Sequence, residues 1–357
     1  MTCRRRRLWP RLLPALGRGR QRWSTRAERR AAVGLLPEVL SRVPPQPGFP
    51  PPGDWRLRQV VVTQTDTTVM LLSVHRGPPV AVVRVAGSAA TGGTVHASGQ
   101  RLTELHADDR LAPLHRYIPR PLGAGVLDGW TYAVEEALPG RPACTGGRPP
   151  VPGEILLPAA TLISELHARS AASVVVESTL LDRWTRSTLN RLRQLDLRIS
   201  GPALDAALSQ TSDDISGALL GHPVSVSWTH GDYWCGNVLV AGNDSAITGI
   251  MDWDAADPGG LPVVDLMHLL LTTRSLAQGV DIGVVVRALL AGERWSAADR
   301  QVLAAGRWAQ STVDPTGRAI VLVTWLSHIG AVLDKYPGHI RQRPWLGRNV
   351  ESVLLSL

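Results

Sequence analysis

The residues best equipped for chemistry crowd into one stretch. It reads Trp228-Thr229-His230-Gly231-Asp232-Tyr233-Trp234-Cys235-Gly236-Asn237, runs on through Val238-Leu239-Val240, turns at 241–245, and returns as Ile247-Thr248-Gly249-Ile250-Met251-Asp252-Trp253-Asp254. Gly242, Asn243 and Asp244 between two apolar runs signal a β-hairpin. With the turn centred between Asp244 and Ser245, position 237 pairs with position 252, and Asp232 lies on the loop that feeds the hairpin. An amide oxygen beside a carboxylate is a hard, incomplete oxygen site that suits Mg²⁺, an ion that keeps waters and takes its other ligands from phosphate. A further carboxylate close by accepts the proton of an attacking hydroxyl. These are the needs of phosphoryl transfer: charge neutralised on the phosphate oxygens and a positioned nucleophile. Taken singly, each residue is more often a turn or capping residue. The set and its spacing point to chemistry.

Such a hairpin needs elements on both sides of it. Leu57–Val62, Val69–Val74 and Val80–Val85 are β-branched runs that predict an antiparallel meander. Thr94 to Leu114 reads as a helix carrying Glu104, broken at Ile118–Pro121, and Trp130–Glu136 gives another strand leading to Leu138-Pro139-Gly140. Beyond the Gly/Pro-rich link at 146–153, helical patterns dominate apart from the β-rich island at 224–252. The expected fold class is α+β with two lobes: a small antiparallel sheet lobe over residues 53–138, and a larger, mainly helical lobe over 139–357 that carries the catalytic hairpin at 228–254.

His230-Gly231-Asp232 with Asn237, then Ile250-Met251-Asp252-Trp253-Asp254, then Gly260-Leu261-Pro262 with Asp265-Leu266, resembles the signature of the aminoglycoside phosphotransferase and choline kinase-like superfamily, relatives of the protein kinases. The resemblance is specific from about Trp228 to Leu270 and looser across 55–172. It implies a protein-kinase-like fold and a Mg²⁺-dependent transfer from ATP or GTP to a small-molecule hydroxyl. By this resemblance Asp232 is the catalytic aspartate, Asn237 and Asp252 are the magnesium ligands, and Asp265 is the buried aspartate that holds the catalytic loop. His230 braces that loop, Asp254 and Asp257 read as turn acids, with Asp254 also within reach of the metal, and the Leu166-His167 pair packs the first large-lobe helix. The strand ending at Glu136, with Leu138 beyond it, resembles the hinge that receives adenine through its backbone. The family's third-strand lysine falls at Arg84, whose expected partner is Glu104. Arginine can bind phosphate and carboxylate together, but its planar head does not place charge as an ammonium does. The loop at 63–68 has no glycine to let backbone amides approach phosphate.

Composition narrows the partners. The formal net charge is +8, but eleven arginines against one acid, Glu28, fall in residues 1–30, so the rest of the chain is nearly neutral and no nucleic-acid partner is implied. Residues 1–52 read as a basic, proline-rich, disordered arm without core residues, with weak contact to an anionic membrane surface as its one further role. Three cysteines without metal-ligand spacing point to a reducing, cytoplasmic setting. Of 38 basic residues only Lys335 is lysine, which reads as genome bias. From 258 to 357 there are seven Asp or Glu against ten Lys or Arg, which favours a neutral or anionic, sugar-like acceptor over a polycationic aminoglycoside. Two other classes stay open: a nucleotide-binding pseudokinase or scaffold, suggested by Arg84 and the glycine-free loop, and a metal-dependent phosphohydrolase using His230 and Asp232 as ligands.

Overall fold

The computed structural model describes residues 26–62, 66–144, 152–242, 246–308, 315–336, 338 and 341–357. The first 25 residues of the arm, the centre of the loop at 63–68, most of the Gly/Pro link and the tip of the hairpin turn lie outside the described residues.

Two short helices open the chain, α1 (Arg26–Gly34) and α2 (Leu36–Ser41). They precede β1 (Trp55–Val62), β2 (Thr67–Val74) and β3 (Pro79–Ala86), the meander expected from the β-branched runs. Helix α3 (Ala89–Ala107) follows, capped by the Ser88 hydroxyl, and a 3₁₀ segment over Asp109–Tyr117 carries Pro113. The predicted helix thus ends early: the chain turns extended at Asp108, whose side chain accepts the Arg110 N–H and opens the 3₁₀ segment. Strands β4 (Pro121–Leu127) and β5 (Trp130–Glu136) complete an antiparallel sheet of order β1-β2-β3-β5-β4. Strand β4 is an addition beyond the expected break at Ile118–Pro121: Pro121, Gly123 and Gly125 hide it, and it survives as an edge, where such residues are tolerated.

The expectation of a disordered arm through residue 52 fails for its described part. Ala32, Leu36, Val39 and Val43 are buried in one cluster with Trp55, Met70, Leu72, Val83 and Leu122, so α1 and α2 cover an apolar face of the small-lobe sheet. Arginine density masked an amphipathic pattern whose apolar side is needed to close that core.

The large lobe begins as the chain leaves the sheet through β6 (Arg141–Pro142). It continues with α4 (Leu157–Ser170), β7 (Ala172–Val175), α5 (Ser178–Arg193), α6 (Gly201–Leu219) and β8 (Pro223–Thr229). The island then supplies β9 (Val238–Val240), β10 (Ile247–Ile250) and β11 (Asp257–Gly260), before α7 (Pro262–Gln278), α8 (Ile282–Leu290), α9 (Ala297–Ala305) and α10 (Pro315–Lys335). Two three-stranded sheets, β10-β9-β6 and β11-β8-β7, flank the loop that joins β8 to β9. Helix α10 is long and apolar enough to cross a membrane, but its most apolar window is 67% buried within the protein. It packs on α5, α6 and α7 as the core helix of the lobe.

Because α2 closes the small-lobe core, Val39→Ala is expected to cost about 2 kcal/mol. Removing residues 1–45 is expected to lower the thermal midpoint by about 5 °C or more. Melting curves check both, and unchanged midpoints would mean that the helices do not belong to the lobe.

Candidate active site

The loop between β8 and β9 is held from below by Asp265, fully buried in the first turn of α7. Its carboxylate accepts the backbone N–H of His230 at 2.7 Å and of Gly231 at 2.8 Å, and contacts His167 Nε2 at 3.0 Å. Burial alone pushes its pKa up, but the hydrogen bond and charge of His167, with His230, bring it below the usual range. Gly231 has φ +79, and a Cβ there would meet the Ala255 carbonyl at 2.2 Å, so only glycine lets the loop pass so close. His230 is fully buried and uses both ring nitrogens: Nδ1 accepts the Asp232 N–H at 3.2 Å, which leaves Nε2 to donate to the Met251 carbonyl at 2.9 Å. A ring so engaged offers no lone pair to a metal, which counts against the phosphohydrolase class. His167 does more than pack, since it shares the Asp265 carboxylate with the loop.

The hairpin register differs from expectation by one residue. Val240 pairs with Ile247, a bulge follows at Thr248, and Val238 pairs with Ile250, so Asn237 lies opposite Met251, whose N–H it accepts at 2.9 Å. Asp252 still reaches the site because it leaves the ladder at φ +69, a left-handed conformation that costs energy for any side chain but is least unfavourable for Asp, Asn and glycine. Asn237 donates its Nδ2 to the Asp232 carbonyl at 2.9 Å, which ties its amide to the loop.

Arg84 crosses from β3 to the large lobe, donating to Asp252 Oδ1 at 2.8 Å and to Glu135 at 3.2 Å. The expected partner, Glu104, instead binds Gln100 and Arg101 on the exposed side of α3. The reason is strand geometry: Arg84 and Glu135 sit on adjacent paired strands, with Val82 directly opposite Glu135 and Arg84 the same-face neighbour two residues along. Arg84 Nε is buried with no partner among the described residues, the sort of donor a phosphate oxygen satisfies. Glu136 turns outward to the Arg120 backbone, and Leu138 packs over Gly249, where a Cβ would meet it at 2.4 Å. The segment from Glu136 to Leu138 therefore sits directly against the hairpin. Asp257 serves its turn, accepting Gly259 N–H at 2.9 Å and pairing with Arg183.

Two groups missed in the sequence complete the site. Lys335, the last residue of α10, places Nζ 2.8 Å from Asp252 Oδ2, 3.7 Å from Asp254 and 3.9 Å from Asp232. Burial opposes its charge, but Asp252, then Asp254 and Asp232, outweigh that and raise its pKa well above the ordinary lysine value. Burial likewise works against Asp252, yet Lys335 and Arg84 hold its carboxyl far below the usual range. Asp254 is pushed up, by burial and then by Asp252. His268 on α7 lies 3.9 Å from the other oxygen of Asp232 and contacts His328 at 3.1 Å, and burial lowers its pKa against the pull of Asp232 and Asp265. The signal for Lys335 was its being the chain's one lysine. No sequence signal pointed to His268.

The all-oxygen donors Asn237 and Asp252 fit a magnesium ion, which would supply Lewis-acid neutralisation of nucleotide phosphates. Both Asp252 oxygens already face a cation, which keeps the carboxylate ionised.

A two-lobed, kinase-like arrangement of sheet, hinge and catalytic loop is thus in place. The family model of the phosphotransferase enzyme family (APH) matches residues 49–305, and the chain belongs to that family of small-molecule phosphotransferases. In fold it is similar to aminoglycoside phosphotransferase APH(3'')-Id from Streptomyces rimosus ATCC10970, with TM-score 0.51 and 15% identity over 83% of this chain and 98% of that one. The same protein in complex with ADP and streptomycin gives TM-score 0.51 at 16% identity, over 83% and 98% of the two chains. A glucosamine kinase in complex with glucosamine, ADP and inorganic phosphate gives TM-score 0.44 at 20% identity, over 82% and 81%. No curated protein matches the chain in sequence.

Asp265→Ala leaves two backbone donors and His167 without their acceptor, an expected loss of about 2–5 kcal/mol in denaturant unfolding. Since the folded pKa lies below the unfolded one, that contribution is complete above the ordinary carboxylate range and fades as pH falls through the depressed value. The gap between wild type and variant should therefore hold from about pH 5 to 8 and close only in acid. In a double-mutant cycle, Arg84→Ala and Glu135→Ala are expected to couple by about 0.5–3 kcal/mol. Glu104→Ala should stay within about 0.5 kcal/mol of wild type. Coupling of Arg84 to Glu104 instead would contradict the observed pairing.

Proposed function

We propose that the chain moves the γ-phosphoryl group of ATP or GTP, with Mg²⁺, to a hydroxyl of a small neutral or anionic, sugar-like metabolite. The observation that supports this most directly is that Asp232 and Asp252 meet at one ammonium while Asn237 is tied to Asp232. The proposed base and both proposed metal ligands thus stand round one small volume. In this reading Asp232 accepts the acceptor's hydroxyl proton and fixes its line of attack. Asn237 and Asp252 hold the ion. Arg84 draws the phosphates toward the small lobe, its charge fixed by Glu135 and its free Nε directed to an oxygen. The backbone from Glu136 to Leu138 receives the base of the nucleotide.

The excess of Lys and Arg over Asp and Glu from residue 258 onward supports an acceptor without multiple positive charges. A second reading, a nucleotide-binding pseudokinase, draws on Asp252 being bonded to two cations in the site. Transfer assays with ATP and GTP, Mg²⁺ and a panel of hydroxylated metabolites separate the two. Asp232→Asn is expected to lower turnover by about 10²- to 10⁴-fold with nucleotide affinity retained, because it removes a base and no bulk. Wild-type turnover in that variant would remove Asp232 from the mechanism. Nucleotide binding without transfer to any acceptor would favour the pseudokinase.

A further inference from the structure

Lys335 is the chain's one lysine among 38 basic residues, and its Nζ lies within 4 Å of three carboxylates at the candidate centre. A lysine in the last turn of a helix is ordinarily explained by the helix dipole. That explanation requires no contact with other elements, whereas here the side chain leaves α10 to reach Asp232, Asp252 and Asp254 from the loop and turn of the island. Elsewhere the chain uses arginine for its ion pairs, including Arg84 in the same site. An arginine's planar fork suits two oxygens in one plane, while an ammonium is a compact charge with three donors that turn freely on a flexible stem. Three carboxylates from a loop and a turn call for the second kind.

Charge points the same way. Asp232, Asp252 and Asp254 place three carboxylates together, and Arg84 is already shared with Glu135. A terminal phosphate brought to Asp232 adds further negative charge where the site is most anionic. We propose that Lys335 is a catalytic residue: its ammonium, held by the three aspartates before nucleotide binds, contacts the terminal phosphate of a bound nucleoside triphosphate and neutralises charge on the group being transferred. This rests on the phosphotransfer reading above. The side chain is 28% exposed, so part of it is open to solvent at the site. It forms no bond to the phosphoryl group, and the hydroxyl proton still goes to Asp232.

The chain's single lysine makes the test direct. Protein grown with lysine labelled at Cε has one side-chain carbon signal, read without any substitution and without an acceptor. With Mg²⁺, a non-hydrolysable triphosphate analogue is expected to shift that signal clearly, and the diphosphate much less. An equal response to both, or none to either, while nucleotide binding is shown independently by calorimetry, overturns the proposal. Lys335→Met is expected to lower turnover by about 10²- to 10³-fold with a much smaller change in nucleotide KM, the pattern of a group that acts in the transition state. Because the carbon signal reports nucleotide contact alone, the proposal can succeed even where no tested acceptor is phosphorylated. In reverse, transfer that survives in Lys335→Met would leave the phosphotransfer reading standing and sink this one.

Discussion

Everything in the centre depends on a carboxylate that never meets a ligand. Asp265 is fully buried, and it remains charged because it accepts two consecutive backbone N–H groups and contacts His167. A buried carboxylate without such partners would take up a proton instead. With them it becomes a rigid post. The backbone at His230 and Gly231 is bound to α7, so the next residue, Asp232, has little freedom in where it sends its side chain. His230 extends the same restraint sideways: it accepts from the Asp232 backbone and donates to Met251, joining the loop to the return strand that carries Asp252. One helix terminus thereby fixes both Asp232 and Asp252.

The second constraint acts between the lobes. Arg84 belongs to the sheet and Asp252 to the large lobe, and the bond between them crosses the cleft. Glu135 orients the guanidinium from the neighbouring strand, so its direction is set before any nucleotide arrives. The hinge reinforces this register, since β6 pairs with β9 and the Ala143 N–H donates to Val238. The strand that leads from the small lobe is therefore hydrogen-bonded to the hairpin that presents Asn237. Lobe spacing and ligand position are one geometric problem.

Much of this was legible in the sequence because it is local. The sequence from His230 to Asp254 encodes its own loop and hairpin, and β-branched alternation marked the meander. What could not be read depends on register or on distant packing. The turn closes two residues tighter than expected, pairing Val240 with Ile247, and the bulge at Thr248 recovers one of them, so Asn237 lies opposite Met251 rather than Asp252, and no residue type announces either shift. The partner of Arg84 was sought on a helix by resemblance, but cross-strand adjacency decides it, and Glu135 rather than Glu136 faces inward. Strand β4 was lost to its glycines and proline. Helices α1 and α2 were hidden by charge, because arginines on an outer face dominate composition while four small apolar residues do the packing.

Lys335 shows how a residue can be conspicuous in composition and still carry no positional meaning until the chain folds. It stands far along the chain from Asp252, at the end of a helix whose buried residues serve the core. Only the length of α10 and its packing on α5, α6 and α7 bring that end to the centre. The helix thus does two jobs with one constraint: its apolar body sets the axis of the large lobe, and its terminus delivers a positive charge at a height fixed by that axis. A core substitution that tilts α10 by a small angle would move Nζ away from the aspartates without touching any residue of the centre. The charge balance of the site is in this sense a property of helix packing, transmitted along α10 from its core contacts to its terminus.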